Sequence, residues 1–283
     1  MALLLTIMLF AAVGGIASAA FAIVFLWVRE EHSALILPHF ISFATGALLG
    51  AALLALLPEA MAGVGPAGAH RIGLTLVAGL GVFFVIEKLV LWWHAHAHLH
   101  EGSAAACPQH ADLAYERQAA LHGEPHHDHG DARIQASGVL VLVGDSLHNA
   151  LDGALIAAAF LGSVQLGVVT TFAVAAHEIP HRVGDFAILV QAGLSRSRAF
   201  LLNLATGIAS VLGAVVAYFG LRETQQALPY ALAFAAAGFL YIAVAGLIPG
   251  LHRRADPRTS AIQVILIAAG IAVIAGAEQL THR

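Results

Sequence analysis

Eight times along this chain the sequence runs for the length of a membrane span with few charged residues, at 3–28, 35–57, 72–93, 137–161, 166–191, 199–221, 230–250 and 261–276. A helix needs about 20 mostly apolar residues to cross the hydrocarbon core of a bilayer. Inside lipid every backbone N–H and C=O needs an internal partner, so only helices and closed barrels can span. Barrel strands alternate apolar and polar residues in segments of about ten, whereas these runs are continuous. They predict an all-α integral membrane protein of eight transmembrane helices, a single domain over residues 1–283. Composition agrees, with 11% charged residues where a soluble protein carries roughly a quarter.

The first run contains Ala17-Ser18-Ala19, which has the small-residue pattern of a signal-peptide cleavage site. No Lys or Arg precedes it and the run continues past it, so it is expected to be a retained first span. With both termini outside, the inward connections hold Arg29, Arg117, Arg133, Arg196, Arg198, Arg253, Arg254 and Arg258, and the outward ones only Arg71, Arg222 and Arg283. The positive-inside rule selects that orientation, in the cell (inner) membrane. The lone Cys107 excludes an intrachain disulfide and falls in a connection assigned to the cytoplasm, where thiols stay reduced.

That connection, residues 94–136, is expected to be a disordered loop between the third and fourth spans. It holds nine of the 17 histidines, among them His94, His96, His98, His126, His127 and His129. Such clusters bind borderline divalent metals with little selectivity. The plainer reading is a tether that is merely His-rich.

Two polar inserts interrupt the fourth and fifth runs. One reads Asp145-Ser-Leu-His148-Asn149-Ala-Leu-Asp152-Gly153, the other His177-Glu178-Ile-Pro180-His181-Arg182-Val-Gly184-Asp185. Ionisable groups at membrane depth are costly and mark ion paths, proton relays or metal sites. Residues four apart share a helix face, so His148 pairs with Asp152 and His177 with His181. If the two helices face each other, three imidazoles and a carboxylate converge, a donor set that suits Zn²⁺ or another first-row divalent ion. Asn149 and Glu178 lie about 100° further round and form a harder, oxygen-bearing stripe beside that set. Pro180 is expected to kink its helix, while Gly153 and Gly184 suit close helix approach. Structural hydrogen bonding between helices would explain one such pair; two on consecutive runs point to a metal site between the fourth and fifth spans.

HNALDGALIAAAF and HEIPHRVGDFAILVQAG together resemble the paired metal-binding helices of the ZIP (ZRT/IRT-like) divalent-cation transporters, most closely the subfamily with HNxxDG and HExPHExGD. The eight spans, outside termini and His-rich loop fit that family as well. The resemblance implies import of zinc into the cytoplasm, with iron(II), manganese(II) or cadmium(II) as alternative bound substrates and no cofactor. It implies His148, Asp152, His177 and His181 as the primary ligands, Asn149 and Glu178 at a neighbouring position, and Asp145 at a commonly acidic one. The implied partners are divalent ions and the lipid bilayer, with no nucleic acid; a homodimer stays open.

Three departures stand out. Arg182 replaces the Glu usual in the subfamily; it sits within a turn of both Glu178 and Asp185, can pair with either, and would leave a single-metal site. Ala51 and Ala55 stand where many relatives carry Asp and His, so an entrance would depend on Glu59 or on nothing charged. The sixth run offers Asn203, Thr206 and Ser210 in place of a carboxylate.

Two rivals share parts of the pattern. His177-Glu178-Ile-Pro-His181 also matches the HExxH of zinc proteases, and Leu151-Asp152-Gly153 matches the LDG of intramembrane ones, although there LDG follows HExxH. A proline inside the motif would disturb the general-base helix. A cation-diffusion efflux carrier shares HxxxD and His-rich loops but has fewer spans and a folded C-terminal domain, whereas the last run here ends close to Arg283.

Overall fold

The computed structural model describes residues 1–20, 30–97, 129–191, 193–252 and 256–281, and all regular structure among them is helical. Among the described residues there are eight helical rods. We label them α1 (Ala2–Ala12, continued by a π-helical turn Val13–Ala17), α2 (Glu30–Gly50, then a π-helical turn Ala51–Leu56 and Leu57–Val64), α3 (Ala69–Ala97) and α4 (His129–Gly162). They continue with α5 (Val164–Gln191), α6 (Arg196–Arg222), α7 (Leu228–Tyr241, then a π-helical turn Ile242–Leu247 and Ile248–Leu251) and α8 (Pro257–Thr281).

Six of the rods, α1, α2, α3, α6, α7 and α8, are long and apolar enough to cross a membrane. The two that carry the polar inserts, α4 and α5, have 34 and 28 residues and are not among those six. Helices reach into the His-rich connection from both sides: His94 and His96 lie in α3 and His129 opens α4. His98, His126 and His127 lie outside the described residues.

Local sequence settles how polar residues survive inside these helices. Ser42, Thr45, Ser146 and Thr171 each donate their hydroxyl to the carbonyl four residues back, at 2.9, 2.8, 2.7 and 2.8 Å. Each hydroxyl is thereby satisfied within its own helix. Pro180 is accommodated inside α5, which runs unbroken past it.

The packing is built on small residues. α4 lies against α6 and α5, α2 against α8 and α5, and α3 against α7. At the α4–α6 contact a Cβ added to Gly153 would lie 1.8 Å from the Ser210 carbonyl oxygen, and one added to Gly213 1.9 Å from that of Ala150. Only glycine lets two backbones come this close, the basis of helix association in lipid. Gly184, expected to serve likewise, does not: a Cβ there would meet nothing within 4 Å. The core, including Ala51, Ala52, Ala55, Leu56, Phe160, Ala235 and Phe239, fills the space between α2, α4 and α7.

Gly213→Ala is expected to lower the melting temperature in detergent by overpacking worth about 1–3 kcal/mol. Gly184→Ala should leave it unchanged or slightly raised, since alanine is the better helix former. Equal melting temperatures for the two variants would show that the α4–α6 approach does not depend on the missing side chain.

Candidate metal centre

The two inserts bring four carboxylates and one guanidinium into the protein interior: Asp145, Asp152, Glu178, Asp185 and Arg182 are all buried. They meet because α4 and α5 pack side by side and each presents its polar face to the other. At the centre, His148 and Asp152 of α4 face His177 and Glu178 of α5, with one ligating atom from each inside a 4.8 Å sphere of separations. His148 Nε2 lies 3.3 Å from His177 Nε2, 3.8 Å from Asp152 Oδ2 and 3.5 Å from Glu178 Oε1. His177 Nε2 lies 3.3 Å from Asp152 Oδ2 and 3.7 Å from Glu178 Oε1.

Zinc held tetrahedrally at 2.0–2.1 Å separates its ligand atoms by roughly 3.4 Å. The five distances bracket that edge length. Tautomer and charge point the same way. His177 Nδ1 donates to the Ala173 carbonyl at 3.2 Å, which leaves the Nε2 lone pair facing the quartet. Asp152 Oδ2 and Glu178 Oε1 are buried with no hydrogen-bond partner. Buried carboxylate oxygens that face imidazole nitrogens without hydrogen bonds favour a cation among them. The quartet fits a borderline divalent ion by spacing, donor type and unmet charge.

Beside the quartet sits Arg182, the bulkiest of the fully buried side chains. Its Nε lies 2.9 Å from Glu178 Oε2. One terminal nitrogen donates to Asp145 Oδ2 at 2.8 Å, to the Asn203 carbonyl at 2.9 Å, to Asn203 Oδ1 at 3.1 Å and to Thr206 Oγ1. The other donates to Asn149 Oδ1 at 2.5 Å. Asn203 Nδ2 returns a bond to the Arg182 carbonyl at 3.0 Å, and Asn149 Nδ2 donates to Asp145 Oδ1 at 2.8 Å. The guanidinium thus ties α4, α5 and α6 together.

The grouping differs from the face-by-face expectation in two respects. Glu178, not His181, completes the tight quartet with His148, Asp152 and His177. His181 belongs to a second group with Asp145 and Asp185: its Nδ1 donates to Asp185 Oδ2 at 3.3 Å, its ring stacks on His148 at 5.3 Å, and its side chain is 46% exposed. Of the two partners open to Arg182, Glu178 is the one it meets, while Asp185 faces His181. Asn149 turns its amide to Arg182 and Asp145 rather than into the quartet. The same-face rule missed these pairings because they depend on how far α4 and α5 rotate toward α6. Asn203 and Thr206 had been legible only as a polar stripe, and Ser210 of that stripe donates instead to the Ala11 carbonyl at 3.3 Å. Ala51 and Ala55 are buried among apolar neighbours, and Glu59 is exposed near Gly162 at the far end of α4.

Against known proteins, the family described as ZIP zinc transporter matches residues 1–278. The chain belongs to the ZIP zinc transporter family. It is 34% identical to the zinc transporter ZIP13 of Danio rerio over 261 residues, covering 84% of this chain and 75% of that one. It is 35% identical to human ZIP13 over 270 residues, covering 87% and 72%. The zinc transporter SLC39A7 of Rattus norvegicus is 32% identical over 323 residues, covering 92% and 69%. ZIP proteins are transporters, not enzymes, so the protease reading of HExxH is not retained, and membership of this family sets aside the cation-diffusion family suggested by HxxxD. Geometry agrees on the first point. Glu178 offers one oxygen to the quartet and the other to Arg182, whereas a protease's general base must stand free beside a metal-bound water.

Arg182→Met is expected to destabilise the fold by about 3–5 kcal/mol, the usual result of stranding one side of a buried ion pair. Adding Asp145→Asn should recover part of that loss, because one stranded carboxylate is gone. Thermal unfolding of the single and double variants in detergent measures both. A silent Arg182→Met would mean that the guanidinium does not hold the three helices.

Proposed function

We propose that this ZIP-family chain carries zinc across the cell membrane into the cytoplasm, with the quartet His148, Asp152, His177 and Glu178 as the intramembrane binding position. The observation that carries this reading is the pair of buried, unpartnered carboxylate oxygens facing two imidazole nitrogens at tetrahedral spacing. All eight rods serve as spans in this reading, with α4 and α5 as the fourth and fifth. Their charged side chains turn inward, where intramembrane ionisable residues belong. Residues 1–283 then form one transmembrane domain with both termini outside.

The quartet is not equally accessible from its two ends. Toward Glu59, about ten residues along α4 from Asp152, the space is filled by the apolar core around Ala55, Leu56 and Phe160. Toward His181 the way is lined by exposed imidazole, and His148 itself is 23% exposed. In the orientation set by the arginines, α5 runs from outside to inside, so His181 and Asp185 lie on the cytoplasmic side. The arrangement corresponds to a state closed to the outside, in which an ion leaving the quartet passes His181 and Asp185. Rocking of the helices around the site would open the Glu59 end, in the manner of transporters that alternate access around a fixed midplane site. Two nitrogens and two oxygens favour zinc over harder ions that demand all-oxygen shells; iron(II), manganese(II) and cadmium(II) are the competing substrates. The loop histidines, His94 to His129, act as an accessory metal collector.

Zinc uptake into proteoliposomes holding the purified protein tests the proposal. Uptake should saturate and should be abolished by His177→Ala. Saturable uptake that persists in His177→Ala would place the path elsewhere. A second variant replaces residues 98–128 by a short Gly/Ser linker and should keep most of the transport; complete loss would overturn the accessory role of the loop.

A further inference from the structure

Thr170 of α5 is fully buried, and its Oγ1 has no hydrogen-bond partner among the described residues. The other buried side-chain atoms in that condition belong to Asp152, Glu178 and Arg182, all in the metal centre. Elsewhere in the bundle hydroxyls are satisfied: Ser42, Thr45 and Ser146 bond the carbonyl four residues back, and Ser210 reaches the Ala11 carbonyl. The next residue, Thr171, gives its hydroxyl to the Gly167 carbonyl at 2.8 Å. A helical threonine has this local bond within reach, yet Thr170 holds its hydroxyl away from it. Leaving a buried hydroxyl unbonded costs stability, and a fold that keeps one needs a reason.

Its place along α5 supplies the reason. Gly167, Thr170, Val174 and His177 follow one another within an arc of about 80° on a helix of 100° per residue. That line faces α4 at both ends: a Cβ added to Gly167 would lie 2.2 Å from the Phe160 ring, and His177 Nε2 lies 3.3 Å from Asp152 Oδ2. Thr170 therefore stands between the Phe160 contact and the quartet, about 10 Å outward of His177. Its helix neighbours Leu166, Val169, Ala173 and Val174 all belong to the apolar core. The hydroxyl is a polar atom set into the packing that closes the quartet from the Glu59 end.

We propose that Thr170 is a positioning residue for the incoming ion: when the outer end opens, its hydroxyl bonds the water shell of a hydrated divalent cation about two turns before the quartet. The inference rests on the reading of the quartet as the transport site and of the Glu59 end as the entrance. Water on a divalent ion is a strong donor, and Oγ1 accepts from it. The contact keeps the ion in line while its waters are exchanged for imidazole and carboxylate. A single neutral oxygen does not trap the ion, so the charged quartet draws it onward; passage needs sites that bind well enough to admit an ion and weakly enough to release it.

The test measures zinc uptake by the full-length protein in proteoliposomes over a range of zinc concentrations. Thr170→Val keeps the shape and removes the hydroxyl. It should lower the ratio of maximal rate to KM roughly tenfold, the worth of one hydrogen bond to a charged partner. The loss should appear as a raised KM, with the maximal rate and the zinc retained per chain unchanged. Its melting temperature should equal or exceed that of wild type, since an unbonded buried group is gone. Thr170→Ser should restore the wild-type KM and Thr170→Ala should not. Thr171→Val, whose lost hydroxyl was already bonded to the Gly167 carbonyl, should transport like wild type. Wild-type kinetics in Thr170→Val would overturn the proposal. So would a lower maximal rate at unchanged KM together with a lower melting temperature, the mark of a structural role. If Thr170→Val does not fold, the contrast between Ser and Ala decides. Wild-type protein without saturable uptake would overturn the transport reading itself, and the proposal with it.

Discussion

Four buried carboxylates against one buried guanidinium is the constraint around which this molecule is organised. Isolated charges do not survive in a low-dielectric interior; they are paired, hydrogen-bonded or bound to a metal. Here the charges divide between two solutions. Asp145 and one oxygen of Glu178 are neutralised internally by Arg182. Asp152 and the other oxygen of Glu178 face the imidazoles of His148 and His177, without a hydrogen bond. The first arrangement is permanent and holds three helices in register. The second has room for an ion that comes and goes, the property the proposed substrate site needs. The fold keeps the two side by side without letting the fixed cation answer the charge meant for the mobile one.

The surrounding architecture follows from the need to bring polar helix faces together inside an apolar bundle. Helices α4 and α5 carry the ionisable inserts, and these face each other and α6. Gly153 and Gly213 permit the α4–α6 approach at backbone contact, which is what allows Asn203 and Thr206 to reach across to a guanidinium on α5. Replacing those small residues by larger ones would separate the helices and strand the charges. Packing at the glycines and electrostatics at Arg182 are in this sense a single determinant, seen from two distances.

Much of this was legible in the sequence, and the reason is physical. Continuous apolar runs announce helices in lipid because no other backbone arrangement satisfies its hydrogen bonds there. The i,i+4 spacing of His148 with Asp152 put both on the face that meets α5. The same spacing of His177 with His181 was less informative. A helical face is broad, and at this depth the choice between His181 and Glu178 as the fourth member of the quartet turns on a rotation smaller than the 100° between successive residues. Arg182 shows the limit more sharply. Its local partner, Glu178, lies four residues away and was one of two candidates, but the rest of its cage comes from Asp145, 37 residues earlier, and from Asn203 and Thr206, 21 and 24 residues later. No local pattern reports on contacts of that separation.

The placement of Glu178 and His181 also sets this HExxH sequence apart from its hydrolytic use. In the hydrolytic use, two histidines one turn apart hold the metal and the intervening glutamate stands off it to take a proton from water. Here the two histidines of the motif are parted. His177 enters the quartet, while His181 turns to Asp185 and stacks on His148. Glu178, drawn to one side by the guanidinium, presents its remaining oxygen to the quartet as a fourth ligating atom. That leaves no free base and no open coordination position shaped for a water nucleophile. A quartet of potential ligands whose members include a partly exposed histidine suits the reversible capture and release of the proposed function.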